Sequence, residues 1–226
     1  MNTPLVTCLC ITRGRPDWLA RAIDYYAYQD YGNKQLLIVG DLPSDLGNNW
    51  PGCLVYFTGL LGVDWWSLGE KRNFGCEMAD SQYIATWDDD DYSAPGRISQ
   101  QVAELERTGA AVTGYQSMKF TDGVGWWNFS CAPGFVIGSS LCFRRDWWLN
   151  HPFPALQVGE DSGFVSIAHQ AGKLAACPDL GLMYATIHAG NTSKRDVSGP
   201  SWEALPGFEW KNRDRGVLDA WQKANQ

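Results

Sequence analysis

The feature that most constrains this chain is the run Trp87-Asp88-Asp89-Asp90-Asp91-Tyr92, which follows directly on the apolar stretch Tyr83-Ile84-Ala85-Thr86. The apolar stretch reads as a buried strand, so four carboxylates stand together at its end. Adjacent acids repel and raise one another's pKa, which makes the cluster costly unless something positive sits in it. A divalent cation with hard oxygen ligands is the natural occupant, and a phosphorylated substrate is the usual reason to hold one beside a strand end. Taken alone, the run also fits a solvated acidic turn. It does not fit an EF-hand loop: with Asp88 as position 1, Ser93 falls at the glycine position and Ser99 where the bidentate Glu belongs.

Around this run the first half alternates strand and helix. Residues 5–11 form a short apolar run rich in Val, Ile and Cys, and Pro16 then opens a segment whose Trp18, Leu19, Ala22, Ile23 and Tyr26 recur at helical spacing. Strands are predicted at 35–39 and 54–57, a loop at 45–52, and a helix at 70–79 leading into the strand before the acids. Pro95 starts a further helix with Ile98, Val102 and Leu105 as its apolar stripe, and 110–113 resumes the sheet. Such alternation predicts an α/β protein with a mostly parallel central sheet, helices on both faces, and ligands at the carboxyl ends of the strands. Asp41 and Asp88 both fall there.

The second half is glycine-rich and aromatic, and residues 198–213 read as an irregular tail. Indole faces stack on sugar rings, although core packing accounts for most of the 12 tryptophans; Trp126 and Trp127, flanked by glycines, are the first candidates for ligand contact. Glu160 and Asp161 precede a helical pattern in which Phe164, Ile167, Ala168 and Ala171 face inward. Acids in a first turn favour the helix dipole, and one of them as a catalytic base is the competing reading.

Composition narrows the classes. A net charge of −7 argues against a nucleic-acid partner, because neutralising many phosphates needs a basic surface. Charged or glycine residues interrupt every apolar run before it reaches a membrane-spanning length, and the start does not read as a signal peptide. The seven scattered cysteines, with Cys8 and Cys10 on one strand face, read as buried thiols of a reducing cytosol, which predicts a cytoplasmic protein.

Four segments, in order, resemble the motifs of family 2 glycosyltransferases with the GT-A fold. Residues 6–16 are similar to their first strand and following loop, and Arg72-Asn73-Phe74-Gly75 to their Arg-Asn-x-Gly segment. Residues 83–91 are similar to the strand bearing their Asp-x-Asp motif, and Gly159-Glu160-Asp161 to their late Glu-Asp motif. Arg13-Gly14-Arg15 departs from the family's usual small polar loop, and Leu42-Pro43 follows Asp41 where a second Asp and a Gly are common. The resemblance implies a single GT-A domain: a nucleotide-sugar half over 1–114, an acceptor half over 115–197, and a tail over 198–226.

It further implies inverting transfer of a sugar from a nucleoside-diphosphate donor to the hydroxyl of a carbohydrate or glycoconjugate acceptor. Asp41 would then bond the base, Arg72 contact the nucleotide and Asp88 lie near the ribose, with Thr12, Arg13 and Asp89 also on the donor side. Asp90 would reach a Mn²⁺ or Mg²⁺ ion, with His188 as a further ligand; a lone His is as readily structural. Asp161 would be the general base with Glu160 in reserve, and Trp126 and Trp127 would meet the acceptor. Arg72 is expected at a helix surface, where its loss should cost under about 0.5 kcal/mol of stability. The competing classes are a metal-dependent nucleotidyltransferase, for which no Gly-rich, Lys-bearing loop precedes the acids, and a non-catalytic nucleotide- or carbohydrate-binding protein of GT-A type.

Overall fold

The computed structural model describes residues 3–40, 53–57 and 65–210. The strands of the described chain are β1 (Val6–Thr12), β2 (Lys34–Gly40), β3 (Cys53–Phe57), β4 (Tyr83–Thr86), β5 (Tyr92–Ser93), β6 (Val112–Tyr115), β7 (Ser117–Thr121), β8 (Trp126–Ser130), β9 (Cys142–Arg144), β10 (Leu174–Cys177), β11 (Met183–Thr186) and β12 (Trp202–Ala204). The helices are α1 (Pro16–Ala27), α2 (Leu68–Met78), α3 (Arg97–Thr108), α4 (Arg145–Asn150) and α5 (Glu160–Gln170), with a 3₁₀ turn at Gly138–Ser140.

The central sheet runs β10-β6-β9-β4-β1-β2-β3. It is parallel except for β9, which lies antiparallel between β4 and β6. Strands buried on both faces carry apolar residues throughout, and their two-residue period sorts those residues into two cores. Val6, Cys8, Cys10, Leu36 and Ile38 pack under α1 and α3 against Leu19, Ala22, Ile98, Val102 and Leu105. Leu9, Leu37, Val39 and Ile84 point the other way, toward Cys76 of α2 and Phe164, Val165 and Ala168 of α5. Ile167, expected inside, is 37% exposed, and Val165 takes its place in the core.

A second sheet, β12-β8-β7-β11-β5, joins the first through the acidic run. β5 directly follows that run and pairs antiparallel with β11, and the Thr186 N–H of β11 donates to Asp91 Oδ1 at 3.1 Å. The chain after β11 is thereby carried past the carboxylates. The expected irregular tail is partly ordered: β12 pairs with β8, and Trp210 stacks on Trp126. Residues 211–226, the predicted loop at 45–52 and Asp41 lie outside the described residues.

Candidate active site

The carboxyl ends of β1 and β4 lead to a cavity of about 120 Å³, which Ile11 and the acid run help to line. Asp88, Asp90 and Asp91 line it from the end of β4, and Glu160 and Asp161 from the first turn of α5. Arg15 and Arg72 lie on the same wall. Asp88 and Asp161, 73 positions apart in sequence, thus share one concave surface.

The Arg-Asn segment explains how α5 reaches the site. Asn73 is clamped to the stretch before α5: its Oδ1 accepts from Phe153 N and Trp148 Nε1, both at 2.9 Å, and its Nδ2 donates to Phe153 O at 2.8 Å. Arg72 Nε donates to Glu160 Oε1 at 3.2 Å, and Arg72 Nη2 lies 3.6 Å from Asp88 Oδ1. One guanidinium therefore bridges the acid run and the N-terminus of α5. Arg72 is buried at 4% exposure, correcting the expectation of a surface position. Its Nη1 is buried without a hydrogen-bond partner.

Two glycines set the end of α5. Gly159 takes φ 89° at the helix N-cap, a left-handed conformation that favours glycine. A Cβ on Gly138 would fall 1.7 Å from Asp161 Oδ2, so only glycine lets the 3₁₀ turn approach that carboxylate. Asp161 is left facing the cavity from the far side of this turn. Glu160, in contrast, is 3% exposed, and its Oε1 accepts from Arg72 Nε.

Burial dominates the electrostatics of the acid run. It pushes Asp88 up to about 6, with Arg72 opposing and Asp90 and Asp89 adding to the rise. Burial likewise raises Asp91 well above the ordinary carboxylate range, helped by Asp90 and Asp88. The chain supplies counter-charge that the sequence did not reveal. Arg15 holds Asp89 with a two-pronged contact through Nε (3.2 Å to Oδ2) and Nη2, and extends Nη1 to Asp90 Oδ2 at 2.9 Å. Arg97, 1% exposed beneath the run, donates to Thr86 O at 2.7 Å, Ser139 O at 3.2 Å and Ser93 Oγ at 2.8 Å. It ties the end of β4 to the 3₁₀ turn opposite Asp161.

Several expected site residues lie off the cavity wall. Asp89 is buried at 2% exposure, and its Oδ2 accepts from Thr12 Oγ1 at 2.6 Å and from Arg15 Nε at 3.2 Å. Arg13 is exposed and does not line the cavity, and Arg15 takes the place expected for it. Trp126 and Trp127 line a separate groove with Val124 and Phe208. Trp126 is locked there against Tyr184, Phe208 and Trp210.

His188 stands behind Asp90, with Nε2 at 2.8 Å from Asp90 Oδ2 and the ring stacked on Trp18. The Gly190 N–H donates to His188 Nδ1 at 3.1 Å, and Nε2 meets Arg15 Nη1 at 3.1 Å as well as Asp90. His188 Nε2 is thus engaged by Asp90 and Arg15, and binding a metal through it would require those contacts to give way. Among the described residues no three His, Cys, Asp or Glu side chains converge as a metal cage. Asp88 and Asp90 face one cavity, and their hard oxygen ligands would suit a divalent cation there.

Residues 64–169 match the family described as Glycosyl transferase family 2. The first 349 residues of TarS from S. aureus, solved in complex with UDP-GlcNAc, superpose with a TM-score of 0.68 at 17% identity, covering 84% of this chain and 60% of that one. The mannosyltransferase PcManGT from Pyrobaculum calidifontis, in complex with GDP-Man and Mn²⁺, gives a TM-score of 0.66 at 13% identity, covering 85% and 59%. These neighbours share the chain's GT-A fold, and the family match lies within it. The GT-A chain spans about 60% of the length of these solved neighbours. No curated protein matches it. No helix among its described residues is long and apolar enough to cross a membrane.

Proposed function

We propose that this chain transfers a sugar from a nucleoside-diphosphate donor to an acceptor hydroxyl with inversion, using a divalent cation at Asp90. The observation that carries the reading is the shared cavity. Asp161, a carboxylate free of an arginine partner among the described residues, lines the same space as the Asp88 and Asp90 carboxylates. Inverting displacement needs such an opposed pair of functions. The acceptor oxygen forms its bond to the anomeric carbon as the bond to the diphosphate oxygen breaks, and Asp161 takes the hydroxyl proton.

A bound Mn²⁺ or Mg²⁺ ion, held by Asp90 with Asp88 nearby, would supply Lewis-acid stabilisation of the leaving diphosphate. Arg72 anchors the α5 turn so that Asp161 keeps its place, and its unpaired Nη1 is available if the side chain shifts toward a phosphate oxygen. His188 and Asn191 orient Asp90, since His188 Nε2 lies at 2.8 Å and Asn191 Nδ2 at 3.4 Å from its Oδ2. A cavity of about 120 Å³ is far below the roughly 300 Å³ or more of an ordinary ligand pocket. It suits the sugar-diphosphate end of the donor, with the nucleoside extending over the ends of β1 and β2. The buried free thiols Cys8, Cys10, Cys76 and Cys142 support a reducing, cytoplasmic setting.

The test is turnover with a panel of nucleotide-sugars, scored by release of nucleoside diphosphate with and without EDTA. Calorimetry of nucleoside diphosphate binding to the wild type and to Asp90→Asn accompanies it. Release that is abolished by EDTA, and binding that Asp90→Asn weakens sharply, are expected. Equal affinity with and without EDTA would sink the metal assignment, and absence of release from every donor would sink the transferase reading.

A further inference from the structure

The place a divalent cation would take on Asp90 is already held by the chain's own cation. Asp90 Oδ2 lies 2.9 Å from Arg15 Nη1, 2.8 Å from His188 Nε2 and 3.4 Å from Asn191 Nδ2, so three nitrogens crowd that oxygen. Arg15 is not a loose surface arm that met an acid by chance. Its Nε and Nη2 are committed to Asp89, whose side chain is 1% exposed and fixed from behind by Thr12 Oγ1 at 2.6 Å. The fork geometry of a guanidinium holds two nitrogens on one carboxylate and directs the third outward. Here the third nitrogen lies 2.9 Å from Asp90 Oδ2 on the cavity wall and 3.1 Å from His188 Nε2.

We propose that Arg15 is an internal counter-ion that competes with the divalent cation for Asp90, and that Asp89 and Thr12 are the positioning residues that hold it there. This rests on the metal-dependent reading above. A cation arriving at Asp90 must displace Nη1 or sit beside it as a like charge, and either lowers the affinity of the nucleotide-free chain for metal. A diphosphate changes that balance. Nη1, still tethered to the wall through Asp89, then has phosphate oxygens to pair with in place of Asp90. Metal and nucleotide diphosphate consequently strengthen each other's binding, a linkage that runs equally in both directions.

The test measures Mn²⁺ binding to the nucleotide-free protein from the electron paramagnetic resonance signal of the free ion. Arg15→Met alone would strand a buried Asp89, so the decisive variant is Arg15→Met with Asp89→Asn, which removes one charge of each sign and leaves the net charge of the cluster unchanged. Circular dichroism and a thermal melt verify its fold. The double variant is expected to bind Mn²⁺ roughly ten-fold or more tightly than the wild type, because a like charge within contact distance has gone. Adding Asp90→Asn to it is expected to abolish the gain. Arg15→Lys, which keeps the charge, should stay close to the wild type. Equal or weaker binding by the double variant would overturn the proposal while leaving the metal site itself standing, as would a gain that survives Asp90→Asn. No Mn²⁺ binding by either protein, even at millimolar metal, would overturn it together with the metal-dependent reading.

Discussion

Replacing Arg72 tests the geometry of the site through stability as well as binding. Its side chain is 5% exposed and that of Glu160 is 4% exposed, with 3.2 Å between Nε and Oε1. Arg72→Met retains most of the stem's volume but leaves Glu160 as an uncompensated charge inside the fold. Breaking a buried pair in this way costs about 3–5 kcal/mol. The contact to Asp88 adds little: it is long at 3.6 Å, and the Asp88 side chain is 27% exposed, so solvent screening holds it below about 1 kcal/mol. For a domain of this size each kcal/mol moves the midpoint by about 2–4 °C, so Arg72→Met should melt roughly 6–20 °C lower. Adding Glu160→Gln removes the stranded charge and should recover most of the loss, a coupling of about 2–3 kcal/mol in a double-mutant cycle. Urea denaturation of the wild type, both single variants and the double variant gives all four corners. A single Arg72→Met cost below about 1 kcal/mol, or additive single-variant costs, would show that this pair is not buried as described.

Asp161→Asn should lower kcat by on the order of 10²-fold or more while nucleoside diphosphate affinity is nearly unchanged, the pattern of a lost general base; wild-type turnover with a verified acceptor would return Asp161 to a helix-end role. Gly138→Ala, whose Cβ would meet Asp161 Oδ2 at 1.7 Å, should reproduce the kcat loss in milder form by pushing that carboxylate aside, and stopped assays giving an unchanged kcat would refute the close approach. The acid run makes a pH prediction. Burial raises Asp88 to about 6 and raises Asp91, Asp89 and Glu160 as well, so the folded state binds more protons than the unfolded chain. That contribution to stability is full below the unfolded carboxylate value of about 4 and is lost as pH rises through the folded values. In EDTA the melting temperature should therefore fall between about pH 4 and 6 relative to a variant with Asp88→Asn and Asp91→Asn, and parallel profiles for the two proteins would contradict the assignment.

Much of this was legible in the sequence because it is written locally. The apolar run of β1, the Pro16 start of α1 and the stripe of Ile98, Val102 and Leu105 each declare an element within a dozen residues. The acid run likewise announced its own electrostatic cost. What answers that cost was hidden, since Arg15 meets Asp89 across 74 positions and Arg97 reaches Ser139 across 42. Nothing in the spacing of a charged side chain states where its partner lies. Arg72 was misplaced for the same reason: α2 buries Lys71 and Arg72 together with Gly69, Gly75 and Cys76, and so lacks the apolar stripe that marks an inward face. Trp126 and Trp127 were drawn to the ligand by their glycine neighbours. Their partners Phe208 and Trp210, in a stretch expected to be irregular, instead close them into a second groove.

The antiparallel strand β9 bears on how such a chain can be cut. It enters the middle of the central sheet from residues 142–144, pairing with β4 on one side and β6 on the other. A fragment ending near residue 114 would contain both neighbours and lack the strand that joins them. Its sheet would carry an internal slot flanked by two unsatisfied backbone edges, the geometry that templates pairing with other chains. Such a fragment is expected to aggregate when made alone and to be rescued by co-expression with residues 115–210, which would deliver β9 and the Asp161 turn in the same docking event.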